Sequence, residues 1–339
     1  MPTKYLLTDP PRPAPTISIV TPSFQQGRFL ERTLYSVVGQ NYPALEYIVQ
    51  DGGSSDETLD ILQRLDHLLA GWTSEPDAGQ AEAINRGFGQ TSGEIMGWLN
   101  SDDLLLPGAL AHVARYFTGH PDVDVVYGHR LLIDEREGMI GSWILPRHSN
   151  RALMLADYVP QETLFWRRRI WDAVGGSVDP SFRYALDWDI LLRFHNAGAR
   201  IVRLPRFLGA FRVHNDQKTL TDSEVGVAEC MRLLTRVHGR TVSRSEVIVR
   251  LLPYLLRHLV LHAGYRSADR LRQLRRHAQT IPLEQWLKAP QQELAHDVGD
   301  EAAPVQGRLE RNRHNRTTTA DTAESKGLSE IGRHGRTFP

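Results

Sequence analysis

Four short apolar runs punctuate the first hundred residues. Three of them end in polar clusters: Thr21-Pro22-Ser23, Asp51-Gly52-Gly53 and Asn100-Ser101-Asp102-Asp103. Between the runs the apolar residues switch to a helical period; Leu30, Leu34, Val37 and Val38 share one face. The runs at 16–21, 47–49, 71–75 and 94–99 predict strands. Pro22 is expected to stop the first, and Ser54 with Glu57 reads as a capping box that opens a helix. Residues 80–88 predict another helix, Pro107 the start of the next, and 123–127 a further strand. Strand–helix alternation with short loops dictates an α/β fold, a mostly parallel twisted sheet with helices on both faces. Ligands of such sheets bind beyond the carboxyl ends of the strands, which is where the polar clusters fall.

The pattern changes after residue 130. Strands at 130–133 and 139–145 predict a hairpin turning at Glu137-Gly138, and a helix ends at Gly175-Gly176. A strong helix covers 187–197, and strands follow at 201–204 and 207–213. The expected division is a proline-rich lead (1–15), a first half (16–129), a second half (130–223), a basic helical extension (224–289) and a polar tail (290–339) whose composition predicts disorder.

Forty Lys+Arg balance forty Asp+Glu, which argues against a chain-wide nucleic-acid binder. The single cysteine, Cys230, excludes an internal disulfide and a cysteine zinc cage. No secretory leader is readable at the start. The longest apolar stretch, 247–262, is broken by Arg250, Pro253, Arg257 and His258, so no membrane span is expected and the protein reads as cytoplasmic. The balance is uneven along the chain: residues 1–110 hold 14 acids and 6 bases, whereas 231–280 hold 11 arginines against Glu246 and Asp269.

Adjacent carboxylates repel each other unless a cation is present. Asp102 and Asp103, at the end of a buried run, suit a hard divalent ion, Mg²⁺ or Mn²⁺, that leaves positions for phosphate oxygens. The simpler reading is that they cap the next helix. Asp51, beside two glycines, either accepts hydrogen bonds from a base or ribose or closes an ordinary turn. Thr21 and Ser23 either form a base-contacting lip or merely end a strand. No phosphate-cradling glycine loop occurs, and Gly87-Phe88-Gly89 does not continue to a third glycine, so a metal–diphosphate arrangement is the natural substitute. Asp187 and Asp189 open a helix but face different sides, so one can cap while the other acts as a general base. His214 is a third metal ligand, a phosphate contact or a plain loop histidine.

These segments resemble inverting family 2 glycosyltransferases of the GT-A fold, of the bacterial surface-polysaccharide type. The resemblance covers about residues 16–220. It rests on VTPSFQQGRFLERTLYSVVGQNYPALEYIVQDGGSSDETLDIL, SEPDAGQAEAINRGF, GEIMGWLNSDDLLLPGAL, PQETLFWRRRIWDAVGG, SFRYALDWDILLRF and FRVHNDQKT. It implies nucleotide-sugar contacts at Thr21, Ser23, Asp51, Asp77, Asn85, Asn100 and Asp102, metal contacts at Asp102, Asp103 and His214, and a general base at Asp187. Three positions depart from the family pattern. Asn100 replaces the first carboxylate of the DXD region, and Leu186 replaces the acid often found before the base. Ile84 replaces an arginine before Asn85, leaving Arg86 or Asp77 for a diphosphate contact.

The Q-x-x-R-W motif of processive synthases is absent. The implied reaction is therefore transfer of one sugar, with inversion, from a nucleoside-diphosphate sugar to a glycan or lipid-linked acceptor, in assembly of cell-surface polysaccharide or lipopolysaccharide. A sugar nucleotidylyltransferase would need a basic glycine-rich loop that TPSFQQG does not supply; a non-catalytic sugar-binding protein is the other alternative. The basic segment 231–280 carries Leu251, Leu252, Leu255, Leu256 and Leu259. It is expected either to make peripheral membrane contact or to pack its leucines on the domain with the arginines in solvent.

Overall fold

The computed structural model describes residues 9–215, 217 and 223–275. Expectations for 276–289 and for the tail at 290–339 lie outside the described residues, as do the first eight residues of the proline-rich lead.

Strands β1 (Ile17–Ser23), β2 (Leu45–Asp51), β3 (Gly71–Ser74) and β4 (Ile95–Trp98) pair in parallel in the order β3-β2-β1-β4. Helices α1 (Gly27–Val38), α2 (Thr58–Arg64) and α3 (Gln80–Phe88) form the crossovers. The predicted stripe of α1 is buried at Leu30, Leu34 and Val37, with Phe29 beside it. Alternate residues of β1 enter opposite layers: Val20 packs under α3 with Ile84, whereas Ile17 and Ile19 pack with Leu30 and Leu34 of α1.

Pro22 does not stop β1, which continues to Ser23. The carbonyl of Val20 accepts from the Leu99 amide on the β4 side, so Pro22, two residues on, also turns its missing N–H to that side. Pairing with β4 has ended by then, because the last register pair is Val20 with Trp98. No ladder bond is lost, which is the condition under which a strand tolerates proline. The capping box at Ser54 is also corrected. The Ser54 hydroxyl donates to Asp51, Glu57 occupies the N-cap without a side-chain bond, and α2 begins at Thr58.

The sheet continues as β4-β8-β6-β9-β5. These are β5 (Leu104–Leu105), β6 (Val125–Ile133), β8 (Phe165–Arg167) and β9 (Ile201–Arg212), with β7 (Met139–Trp143) hairpinned to β6. Helix α4 (Ala109–Gly119) follows β5, starting two residues after Pro107 from Gly108 in the left-handed conformation. The pairs of strands expected at 123–127 and 130–133, and at 201–204 and 207–213, are each one strand, β6 and β9. Their register shifts at Tyr127 to Arg130, a bulge that bends the ladder without ending it. Helices α5 (Asn150–Leu153), α6 (Arg168–Ala173), α7 (Leu186–Asn196), α8 (Ser223–His238) and α9 (Arg244–Arg275) complete the described residues. One layer of core gathers Trp98, Trp166, Trp188 and Phe194 beneath α3 and α7.

The expectation that no membrane-spanning length exists is corrected for α9. Its residues Arg244–Tyr265, 22 in all, are long and apolar enough to cross a bilayer by length and composition alone. Arg250 and Arg257 interrupt the run in sequence, but the leucines, valines and isoleucine around them keep it apolar overall.

Candidate active site

The polar groups at the carboxyl ends of β1, β2 and β4 and at the end of β9 are linked through Glu162 and Arg130 to the start of α7, and the space they border is termed the cleft. At the β2 end, Asp51 is nearly fully buried and its carboxylate closes a knot. It accepts from the amides of Gly53 (3.1 Å) and Ser54 (2.8 Å) and from the hydroxyls of Ser54 (2.5 Å) and Ser74 (2.7 Å). The knot ties the ends of β2 and β3 together. Asp77 lies against Gly52, where an added Cβ would meet its carboxylate at 3.2 Å, so a larger residue there would push the Asp77 side chain aside. At the β1 end Thr21 is fully buried and pairs with the Tyr47 hydroxyl at 2.9 Å. The Ser23 hydroxyl is buried and has no hydrogen-bond partner among the described residues.

Asn85 on α3 gives its amide to the Val178 carbonyl (3.0 Å) and accepts from the Val178 amide (2.8 Å), which joins the two halves. Asn100 accepts from Gln80 at 2.7 Å. The next two carboxylates then diverge. Asp103 is buried and accepts from the Arg212 amide at 3.1 Å. Burial, and then the charge of Asp102, push its carboxyl well above the ordinary range. Asp102 remains partly open, and its Oδ2 lies 3.0 Å from Nε2 of His214. The other ring nitrogen, Nδ1, faces the Arg28 guanidinium at 3.3 Å, and the ring leans on Phe29. An Arg N–H can only donate, so Nδ1 accepts and Nε2–H donates to Asp102.

On the opposite wall Asp187 sits in the first turn of α7, partly open to solvent. Its surroundings push its carboxyl up to about 6, chiefly by desolvation, against backbone hydrogen bonds and the positive charge of Arg130. Asp189, two residues on, is fully buried in ion pairs with Arg193 (2.9 Å) and Arg236. It fixes α8 against α7 and faces away from the cleft, as the i, i+2 relation requires.

Three residues of this cleft escaped the sequence reading. Arg130 on β6 and Glu162 form a bidentate pair at 2.8 and 2.5 Å, with the Glu162 side chain fully buried. Glu162 fits there because β9 is bare at Gly209, where a Cβ would meet its Cγ at 2.7 Å. The third is Asp157, open to solvent yet ringed by protein. Desolvation and the charge of Asp187 push its carboxyl well up. Electrostatic contact runs unbroken across the cleft, from Asp102 to Asp103, to Glu162 and Arg130, to Asp187 and Asp157. In sequence only PQETLFW marked Glu162; nothing marked Arg130 or Asp157.

This parallel half-sheet with acidic groups at its strand ends, and a carboxylate facing them from the second half, defines a transferase scaffold of the GT-A type. The chain belongs to glycosyltransferase family 2. The model of that family, described as Glycosyl transferase family 2, matches residues 18–169. An uncharacterised glycosyltransferase of Mycobacterium tuberculosis is 33% identical over 186 residues, spanning 53% of this chain and 69% of the relative. A PGL/p-HBAD biosynthesis glycosyltransferase of Mycobacterium bovis is 29% identical over 194 residues, 56% of this chain and 73% of the relative. Among solved structures, residues 1–349 of Staphylococcus aureus TarS in complex with UDP-GlcNAc superimpose with a TM-score of 0.54 at 18% identity, over 72% of this chain and 73% of that one. The full TarS chain is matched over 43% of its length. A Pyrobaculum calidifontis mannosyltransferase in complex with GDP-Man and Mn²⁺ superimposes at 0.52 with 15% identity, covering 88% of this chain and 83% of that one.

Proposed function

We propose that this glycosyltransferase moves one sugar from a nucleoside-diphosphate sugar to an acceptor hydroxyl with inversion, in assembly of a cell-surface glycan and on the cytoplasmic side. The observation that carries the reading is Asp187, a partly open carboxylate with its pKa raised to about 6, facing the strand-end acids across the cleft. A general base needs a pKa near the working pH, and this one combines that with access to the cleft. The binding of UDP-GlcNAc and of GDP-Man by structural neighbours supports a nucleotide-sugar donor.

The donor set fits a divalent ion. Asp102, partly open at the strand end, would hold the ion, and His214, whose Nε2–H donates to that carboxylate at 3.0 Å, would orient it; an oxygen donor of this kind suits Mg²⁺ or Mn²⁺. Among the described residues no group of three or more His, Cys, Asp or Glu converges as a metal site, so an ion held by Asp102 would need further oxygen ligands from the substrate or water. Asp103, buried against Arg212, supports this pair from behind rather than joining it. A bound ion there would neutralise charge on the departing diphosphate.

The chain's own residues divide the remaining work. Ser23 offers its free hydroxyl to the nucleotide, while Asp51 and Asp77 shape the β2 end that receives it; Thr21 and Asn85 hold the frame from inside. Asp187 takes the acceptor proton as its oxygen attacks the anomeric carbon. Arg130, braced by Glu162, limits how far burial raises Asp187. One displacement from the face opposite the diphosphate inverts the configuration.

The test is a donor screen with Mn²⁺, read as released nucleoside diphosphate and followed by NMR of the product anomer. Asp187→Asn should lose on the order of 10²–10⁴-fold in turnover while keeping donor affinity. A variant with near-normal turnover, or a product of retained configuration, would overturn the assignment. Asp102→Ala should weaken nucleotide-diphosphate binding only when Mn²⁺ is present. Equal affinity with and without a chelator would remove the metal from the mechanism.

A further inference from the structure

Helix α9 has one face docked and one face bare. Val247, Leu251, Tyr254 and His258 repeat at intervals of four and three and turn toward the domain. Tyr254 packs against Tyr158 with the rings tilted, centroids 4.6 Å apart, His258 meets Trp143 edge-on at 6.2 Å, and Tyr265 meets Phe207 at 5.7 Å. The outer face carries Ile248, Val249, Leu252, Leu256, Leu259 and Val260, every one of them at least half exposed. At 3.6 residues per turn, these with Leu255 cover an arc of about 140° on the side away from the domain. Scattered exposed apolar residues are ordinary, but a contiguous patch of this kind marks a contact surface.

We propose that this face lies on an anionic lipid surface, holding the enzyme at a membrane without crossing it. Three observations choose that occupant. The docked inner face rules out a span while the helix stays on the domain. The bare arc is wider than the narrow two-position seam of a coiled coil, so a second copy of the helix would leave part of it wet. The charge around the arc is of one sign. No acid occurs in the sequence between Glu246 and Asp269, and Arg250, which also reaches Glu246 at 3.2 Å, and Arg257 are exposed beside the arc. An apolar face bordered by arginine is the pattern of a helix lying in the plane of a charged interface. The proposal does not depend on the transfer reaction.

The experiment is co-sedimentation of the full chain with phosphatidylcholine vesicles, with and without phosphatidylglycerol, at low and high salt. The protein should bind the anionic vesicles at low salt and leave them at high salt. The pair Leu256→Ser and Leu259→Ser sits on the bare face, so folding should be unchanged by circular dichroism. Binding should fall by about tenfold or more, given the transfer free energy of two leucine side chains. Arg250→Gln with Arg257→Gln should weaken binding and flatten its salt dependence. Equal binding to neutral vesicles would overturn the electrostatic attachment. A dimer in sedimentation that the serine pair dissolves would assign the face to a second copy. A monomer that ignores vesicles would assign it to the chain's own remaining residues; either result refutes the proposal.

Discussion

For Asp187, the proposed base, the raised pKa that suits it to that role and its cost to the fold share one origin. Burial raises its pKa to about 6, so the folded protein holds that proton to a higher pH than the unfolded chain, whose aspartates titrate near 3.9. Stability from this group is therefore present at low pH and lost as pH rises through about 6. At pH 8 Asp187→Asn should raise the melting temperature, by on the order of 1–3 kcal/mol of stability. The gain should vanish below about pH 4. Calorimetry across pH checks this, and a variant destabilised equally at every pH would contradict it. The same titration governs rate. Turnover should fall about tenfold per pH unit below about 6, because the base must be ionised. Glu162→Gln removes a carboxylate whose charge raises Asp187 and should move that acid limb to lower pH; a pH–rate profile with an unmoved limb would separate Glu162 from the base. Asp187 could be singled out from sequence because acids at a helix start are conspicuous. Asp157 could not, since it lies 30 residues earlier in a segment with no pattern of its own.

At the scale of elements, the start of α7 is held by a partner on another helix. The Glu229 carboxylate on α8 accepts from the amides of Arg183 (2.8 Å), Tyr184 (2.9 Å) and Ala185 (2.9 Å), the three residues before α7. A helix start leaves amides without intrahelical partners, and a buried carboxylate satisfies several at once. Glu229→Ala should cost about 1–3 kcal/mol in denaturant unfolding, the range for stranding buried donors. It should also lower kcat more than it changes KM, because the amides it orients lead directly into Asp187. Glu229→Gln, with one acceptor oxygen instead of two, should recover part of both; no recovery would argue against positioning. The strand ends show the converse, local chemistry overriding a local signal. The Ser54–Glu57 pattern is a sound capping box by spacing, but Asp51 offers the Ser54 hydroxyl a nearer acceptor. A two-strand knot there outcompetes a helix cap.

Across the whole molecule, one face of α9 belongs to the body that holds the site and the other is left bare. Tyr254 enters the core layer that holds Trp166 and Trp188 and packs beside Tyr158, the neighbour of Asp157. Tyr254→Ala should therefore cost about 3–5 kcal/mol, the range for removing a large buried aromatic. It should lower a single cooperative transition rather than create a second one. A separate low-temperature transition would mean that α9 unfolds independently of the body.

By itself the sequence determined the α/β class, the end of the sheet where chemistry sits, and the polar residues at the β1, β2 and β4 ends. Period and turn chemistry act over a few residues, and those are what fix strands, helices and their order. Tertiary structure decided which way each polar group faces. Asp102 and Asp103 are chemically equal neighbours, yet β9 brings the Arg212 amide to one and the loop after it brings His214 to the other. It also assembled Arg130, Glu162 and Asp157 around Asp187, because burial and a neighbour's charge depend on distance in space and leave no trace along the chain.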